Sequence, residues 1–196
     1  FDLGETLLDF NKNDLWYKSL KETALPRMYR ALMKESLRLQ NRGLSFQEFI
    51  NSAYPSIAKQ NPEEKEWRMN RRIAEYLYKL NIPVEPTTIE SQMECYFSTI
   101  EPDVTLYSDT LPILSILHDL GYSMALFSNT PWQLPGKFFD RLLEKFHLIS
   151  YFPIRYYSGD LEISKPNPKV LDLIQNKAGV SKDQMVFLGD HEKDID

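Results

Sequence analysis

Hydrophobic and polar residues follow three rhythms along this chain, and their order predicts strands and helices with a long helical stretch set between them. The chain opens on an apolar-to-acidic switch: Phe1 runs into Asp2, Leu3-Gly4-Glu5-Thr6 make a turn, and Leu7-Leu8 resume the apolar pattern. A buried strand that delivers a carboxylate into a tight loop reads this way. From about Asn13 to Ile100 the apolar spacing becomes helical, and of the seven glycines only Gly43 falls there. Ser45 and Glu48 form a capping box, each reaching the other's backbone N–H. Asn61-Pro62 opens the next helix, with Pro where its missing N–H costs nothing. That helix places Met69, Ile73, Tyr76, Leu77 and Leu80 on one face. Asn81 to Pro86 interrupts it, and Thr87 with Glu90 makes a second capping box. Four or five helices are expected in the block.

After residue 105 short apolar runs alternate with helices. Ser108-Asp109 starts a helix whose apolar positions are Leu111, Leu114, Ile116, Leu117 and Leu120. Gly121 ends it in a conformation cheap only for glycine. Met124 to Phe127 is predicted as a buried strand, Pro135 to Phe146 as a helix, and Ile154 to Tyr157 as a strand. Asn167-Pro168 caps a helix carrying Val170, Leu173, Ile174 and Ala178 before Gly179. Ser181 and Gln184 flank the approach to Met185–Leu188, another predicted buried strand. This alternation implies an α/β class with a parallel sheet covered by helices on both faces. The helical block is then an insertion, residues 11–104, within a core made of 1–10 and 105–196.

Bulk composition removes several classes. Apolar residues make up 42% and aromatics 13% of 196 residues, enough for a real core. The net charge of −5, with both signs spread along the chain, excludes the basic stripe of a nucleic-acid binder. A single cysteine, Cys95, rules out an internal disulfide and fits a reducing, cytoplasmic setting. No apolar run approaches the roughly 20 residues of a membrane span. The chain has no initiator Met, only Phe1 precedes the first loop, and it stops at Asp196 inside what should be a continuing loop. It is therefore expected to be a fragment of a longer protein, with its first strand shortened.

In an open parallel sheet, ligands bind beyond the carboxyl ends of the strands. Asp2, Ser128 and Asp190 each follow an apolar strand, and Lys165 lies in the loop after Ile154–Tyr157. Singly these are a loop carboxylate, a helix N-cap, a solvated lysine and another cap. Together, in this order, four polar groups converge on one edge of the sheet. The segments around Asp2, Ser128-Asn129, Lys165-Pro166, and Gly189-Asp190 with Asp194 resemble the motifs of the haloacid dehalogenase-like superfamily, over the whole chain and in the same order.

That resemblance implies a Rossmann-like core whose inserted helical cap closes over the site and chooses the substrate. It implies a phosphohydrolase acting on a small phosphorylated metabolite. Asp2 is similar to the nucleophile that forms an aspartyl-phosphate. Ser128, Asn129 and Lys165 would bind the phosphoryl group, with Lys165 stabilising negative charge. Mg2+ would be held by Asp2, the Gly4 carbonyl, Asp190 and Asp194, hard oxygen ligands that suit it.

One position departs from the family pattern. Most phosphatases of this superfamily carry a second Asp two residues after the nucleophile, as general acid–base, and here that position is Gly4. Three readings stay open: a phosphatase that takes its acid from elsewhere, Glu5 standing in, or a non-catalytic phosphate-binding or regulatory module. Successive loop side chains point different ways, which argues against Glu5. The superfamily's dehalogenases also lack that Asp, but Asp190 argues against that branch because their last motif lacks the metal-binding Gly-Asp pair. His191 and Trp132 are expected to be an exposed loop residue and a packing residue. Arg68, Arg71 and Arg72 are expected on a solvated face paired with Glu63, Glu64 and Glu66, and Trp16, Tyr17 and Tyr29 in the core of the helical block.

Overall fold

The computed structural model describes residues 1–11, 20–58, 68–161 and 163–194. Trp16, Tyr17, Asn61-Pro62 and the acidic set Glu63, Glu64 and Glu66 lie outside them. The chain divides into two compact units: Lys12–Asp103, and Phe1–Asn11 with Val104–Asp196.

Every element described in the inserted unit is helical: α1 (Leu25–Glu35), α2 (Leu37–Arg42), α3 (Phe46–Ala58), α4 (Met69–Lys79) and α5 (Pro86–Phe97). Met28, Leu32, Phe49, Ile73, Tyr76, Leu77 and Phe97 are buried in it, the i, i+3, i+4 spacing of an amphipathic helix made into a core. Its centre carries one polar chain. The Tyr76 hydroxyl donates to Gln92 Oε1 at 2.7 Å, and Gln92 Nε2 donates to the Met28 carbonyl at 3.1 Å. Both partners are needed because an unpaired polar group in such a place is costly. Tyr29 is half-buried, its ring against Phe46 and Phe49 and its hydroxyl donating to the Leu44 carbonyl at 2.6 Å.

Local capping differs from the sequence expectation. The Glu48 N–H does donate to Ser45 Oγ, at 3.1 Å, but the Glu48 carboxylate pairs with Arg42 rather than reaching back. α5 begins at Pro86 with Glu85 as its N-cap and no side-chain cap bond, so Thr87 falls inside the helix. Pro86 supplies the start instead, its fixed φ already helical. Arg72 is also not on a solvated face: it is buried and donates to the Ile57 carbonyl at 2.7 Å. The end of α3 offers an unsatisfied carbonyl there, which draws the guanidinium inward.

The second unit is the α/β part. β1 (Leu8–Asp9) pairs antiparallel with β2 (Thr105–Leu106), joining the points where the chain leaves this unit and returns. After α6 (Thr110–Asp119), β3 (Ala125–Ser128) runs parallel to β4 (Ile154–Tyr157), with Ser128 opposite Tyr157. Phe1 and Asp2 extend this array. The Phe1 nitrogen donates to the Ala125 carbonyl and Phe127 N–H to the Phe1 carbonyl, both at 2.9 Å. Asp2 N–H donates to the Leu188 carbonyl at 2.8 Å. The order across the array is thus 185–188, 1–2, β3, β4.

Helices cover both faces. Phe127 packs with Val170 and Ile174 of α8 (Lys169–Ala178), and Tyr156 lies against that cluster. Tyr157, one residue on and so on the opposite face, stacks on Phe139 of α7 (Gly136–Lys145), whose Phe138, Leu142 and Leu143 are buried. One apolar helix is largely uncovered, and one predicted buried strand needs correction. In α6 only Thr110 and Leu114 are buried, while Ile116 and Leu120 are 58% and 69% exposed. Among the described residues the segment 185–188 pairs through Asp2 alone, and its residues alternate: Met185 and Phe187 pack on the α8 cluster, whereas Val186 is 82% exposed. It is covered on one face only, since Leu188, like Val186, is exposed.

Candidate active site

The pairing register brings the candidate side chains to one edge. Ser128 ends β3, Asp2 follows the strand position held between β3 and Leu188, and Asp190 lies two residues past Leu188. The loop after Asp2 is closed by its own backbone: Leu7 and Leu8 N–H both donate to the Leu3 carbonyl at 3.0 Å, and Glu5 N–H to the Leu8 carbonyl at 2.8 Å. Glu5 itself has a φ of +58°, a left-handed value unusual for a residue with a side chain. Gly4 sits at the head of this turn, bridged to Leu8.

Lys165 is the electrostatic centre. Its side chain is 4% exposed, and Nζ lies 2.9 Å from Asp2 Oδ2 and 2.5 Å from Asp194 Oδ1. Neither contact is aligned as a hydrogen bond, so both are ion pairs. The ammonium also lies 5.0 Å from the centre of the Phe187 ring, a favourable cation–π placement. Asp2 is buried and its Oδ1 accepts from Leu3 N–H at 2.7 Å. Asp194 Oδ2 accepts from His191 N–H at 3.0 Å. This closes the loop after Gly189 on the Asp194 carboxylate, where a Cβ at 189 would lie 2.3 Å from Asp194 Oδ2. Only glycine leaves that space. The His191 side chain is exposed, as read from the sequence.

Asp2, Asp190 and Asp194 each present an oxygen within 4.8 Å of the others. Among the described residues, this cluster of three carboxylates, two of them paired with the Lys165 ammonium, carries an excess of negative charge, and the buried Asp194 Oδ1 has no hydrogen-bond donor. That all-oxygen set fits a hard divalent cation such as Mg2+, and the Gly4 carbonyl is carried on the same loop as Asp2.

The remaining groups fall as follows. Ser128 is buried at the edge. The side chain of Asn129 is turned to Lys165, not outward: Oδ1 accepts from Lys165 N–H at 2.9 Å and Nδ2 donates to its carbonyl at 3.1 Å. Glu5 is engaged away from Asp2, accepting from Phe10 N–H at 3.3 Å and from the Tyr107 hydroxyl at 3.2 Å. Removal from water, and then the Glu5 carboxylate, push the Tyr107 phenol up to about 12. Trp132 is half-buried with a φ of +47°. Sequence reading missed Phe187 beneath Lys165 and the Tyr107–Glu5 bond. The alternation in 185–188 carried the first, and no local signal carried the second.

Comparison with known proteins gives the arrangement a lineage. A phosphoglycolate phosphatase of Salmonella paratyphi A is 31% identical over 100 residues, 51% of this chain and 38% of the relative. One from Aliivibrio fischeri is 36% identical over 90 residues, 46% of this chain and 38% of the relative. The matches therefore span well under half the length of these curated relatives. A solved HAD phosphatase from Thermococcus onnurineus superposes with a TM-score of 0.52 at 22% identity, covering 99% of this chain and 77% of that one, a likeness of fold. The model of the haloacid dehalogenase-like hydrolase family matches residues 1–196, and the chain belongs to that family.

Proposed function

We propose that this chain carries a Mg2+-dependent phosphohydrolase site that acts on a small phosphorylated metabolite through an aspartyl-phosphate at Asp2. The observation that supports it is the Asp2–Lys165–Asp194 cluster with Asp190 beside it, at the edge where Ser128 ends β3. Asp2 Oδ2 is the nucleophilic oxygen: it attacks phosphorus as the bond to the leaving alkoxide oxygen breaks and that oxygen takes a proton from solvent. A water then attacks the aspartyl-phosphate, releasing inorganic phosphate and restoring Asp2. Lys165 holds negative charge on the transferring group, and Ser128 with the neighbouring backbone N–H groups fixes its oxygens. Asp2, the Gly4 carbonyl, Asp190 and Asp194 would hold the Mg2+. Bound there, the ion offsets the repulsion between an anionic nucleophile and an anionic substrate. The inserted helical unit serves as the cap that selects the substrate, in a protein that works in the cytoplasm.

The test is phosphate release from an activated aryl phosphate by the full-length protein, with Mg2+ and with chelator, beside Asp2→Asn. Activity is expected to require both the ion and Asp2, and an active Asp2→Asn variant refutes the mechanism. Phosphoglycolate, the substrate in the relatives' names, is the first metabolite to assay.

Gly4 supports a second reading, a phosphate-binding module without turnover. A general acid–base contributes about 10²–10⁴-fold, Gly4 cannot supply one, and Glu5 is held by Phe10 N–H and Tyr107. Gly4→Asp separates the two: a rise in turnover of about 10²-fold or more from a near-zero start favours the module. A phosphatase with its acid already in place gains little.

A further inference from the structure

The Asn129–Lys165 clasp links two loops that the proposed reaction needs in register. An Asn side-chain amide carries one acceptor and one donor, matching the N–H and C=O of a single residue. Asn129 uses both on Lys165, at 2.9 and 3.1 Å. It does so from the position next to Ser128, at the end of β3. The next residue is pinned as well. Thr130 N–H donates to Ser158 Oγ at 2.9 Å, and Thr130 Oγ1 donates to the Leu134 carbonyl at 2.8 Å while accepting from Gly159 N–H at 3.2 Å. Thr130 and Ser158 are both buried. The anchor for the clasp is therefore rigid. Lys165 has less local support: Pro166 follows it and lacks an N–H, and no regular element contains it.

We infer that Asn129 is a positioning residue, whose paired hydrogen bonds to the Lys165 backbone set the Lys165 ammonium between Asp2 and Asp194. This rests on the phosphohydrolase reading of the site. In that reading Ser128 and Lys165 grip the same phosphoryl group, so one amide fixes the distance between the two grips. A misplacement of about 1 Å costs on the order of 10²-fold in rate. Asn129 acts on the reaction through Lys165 and needs no contact of its own with substrate.

The test is a double-mutant cycle in the full chain, with Asn129→Leu and Lys165→Met, read by kcat and KM on an aryl phosphate. Asn129→Leu is expected to lower kcat by about 10–100-fold with KM changed less than about 3-fold. In the Lys165→Met background the same change is expected to cost less than about 3-fold. An equal loss in both backgrounds, or a loss carried by KM, overturns the proposal. A second readout needs no turnover: the rate of Lys165 acetylation by a soluble anhydride, followed by mass spectrometry. Lys165 is buried in the wild type, and Asn129→Leu is expected to raise its labelling at least 10-fold while labelling of Lys182 stays constant. Unchanged Lys165 labelling overturns the clasp. If the wild type shows no phosphatase activity, the functional reading fails while labelling still decides the clasp. Asn129→Ser takes the place of Asn129→Leu in both readouts if the latter does not fold.

Discussion

Replacing Lys165 by Met removes the one ammonium between Asp2 and Asp194 while keeping the length and apolar stem that lie against Phe187. At an effective dielectric constant near 20, charges 2.9 and 2.5 Å apart attract by about 6 kcal/mol per contact. Desolvation of the three buried groups cancels most of that gain, so the pairs contribute little net stability. Removing one partner is different. It leaves Asp2 and Asp194 uncompensated with Asp190 within 4.8 Å, and breaking a buried pair in this way costs about 3–5 kcal/mol. In a thermal melt in chelator at neutral pH, that corresponds to a fall in Tm on the order of 10 °C. Under the proposed binding of Mg2+ by these carboxylates, the ion would supply the missing positive charge, so added Mg2+ is expected to raise the Tm of the variant more than that of the wild type. The control is Lys182→Met, which removes an exposed pair with Asp172 and is expected to shift Tm by less than about 2 °C. If Lys165→Met in chelator melts as close to wild type as this control does, the charge argument for the site is wrong.

Two further changes probe neighbouring features. Gly189→Ala places a methyl carbon 2.3 Å from Asp194 Oδ2, well inside contact distance, so the carboxylate must shift. Mg2+ affinity by titration calorimetry is expected to fall about 10–100-fold, and unchanged affinity removes Asp194 from the ligand set. Tyr107 keeps its proton in the folded state up to about 12, against an ordinary value of 10.0. Between these values the unfolded chain loses a proton that the folded one retains, so stability falls as pH rises from about 10 to 12. Tyr107→Phe is expected to flatten that part of a urea-denaturation profile, and an identical slope refutes the assignment.

The site was legible to the extent that it depends on strand ends. Asp2, Ser128 and Asp190 each follow an apolar run, and a parallel sheet delivers such residues to one edge whatever lies between them. Lys165 was readable only through its place in that order, because its loop has no periodicity. The resemblance to a family supplied what the spacing did not. Other features were hidden because they depend on contacts distant in sequence. Nothing local distinguishes an Asn that binds a substrate from one that clasps a backbone thirty-odd residues away, as Asn129 does. The exposure of Ile116 and Leu120 was hidden for the opposite reason: periodicity shows which side of α6 is apolar, not whether anything covers it. Arg72 shows the same limit for a charge, drawn inward by a carbonyl that only the end of α3 provides. Capping erred at α5, where a Thr-x-x-Glu pattern lay one residue inside a start already set by Pro86.

The pairing of Asp9 with Thr105 bears on how such a chain diversifies. These two residues end and begin antiparallel strands, so residues 12–103 depart and return at neighbouring points, as the tip of a hairpin does. A two-residue turn is the shortest natural closure of antiparallel strands. Deleting the whole insertion in its favour would leave an ordinary hairpin with its register intact. The insertion is a side branch of the α/β unit rather than a link within it. Recombination can lengthen it, exchange it or remove it without reordering the strands that carry Asp2, Ser128 and Asp190. Under the proposed function, selection on substrate preference and selection on the candidate reacting groups would then act on separable pieces of one gene.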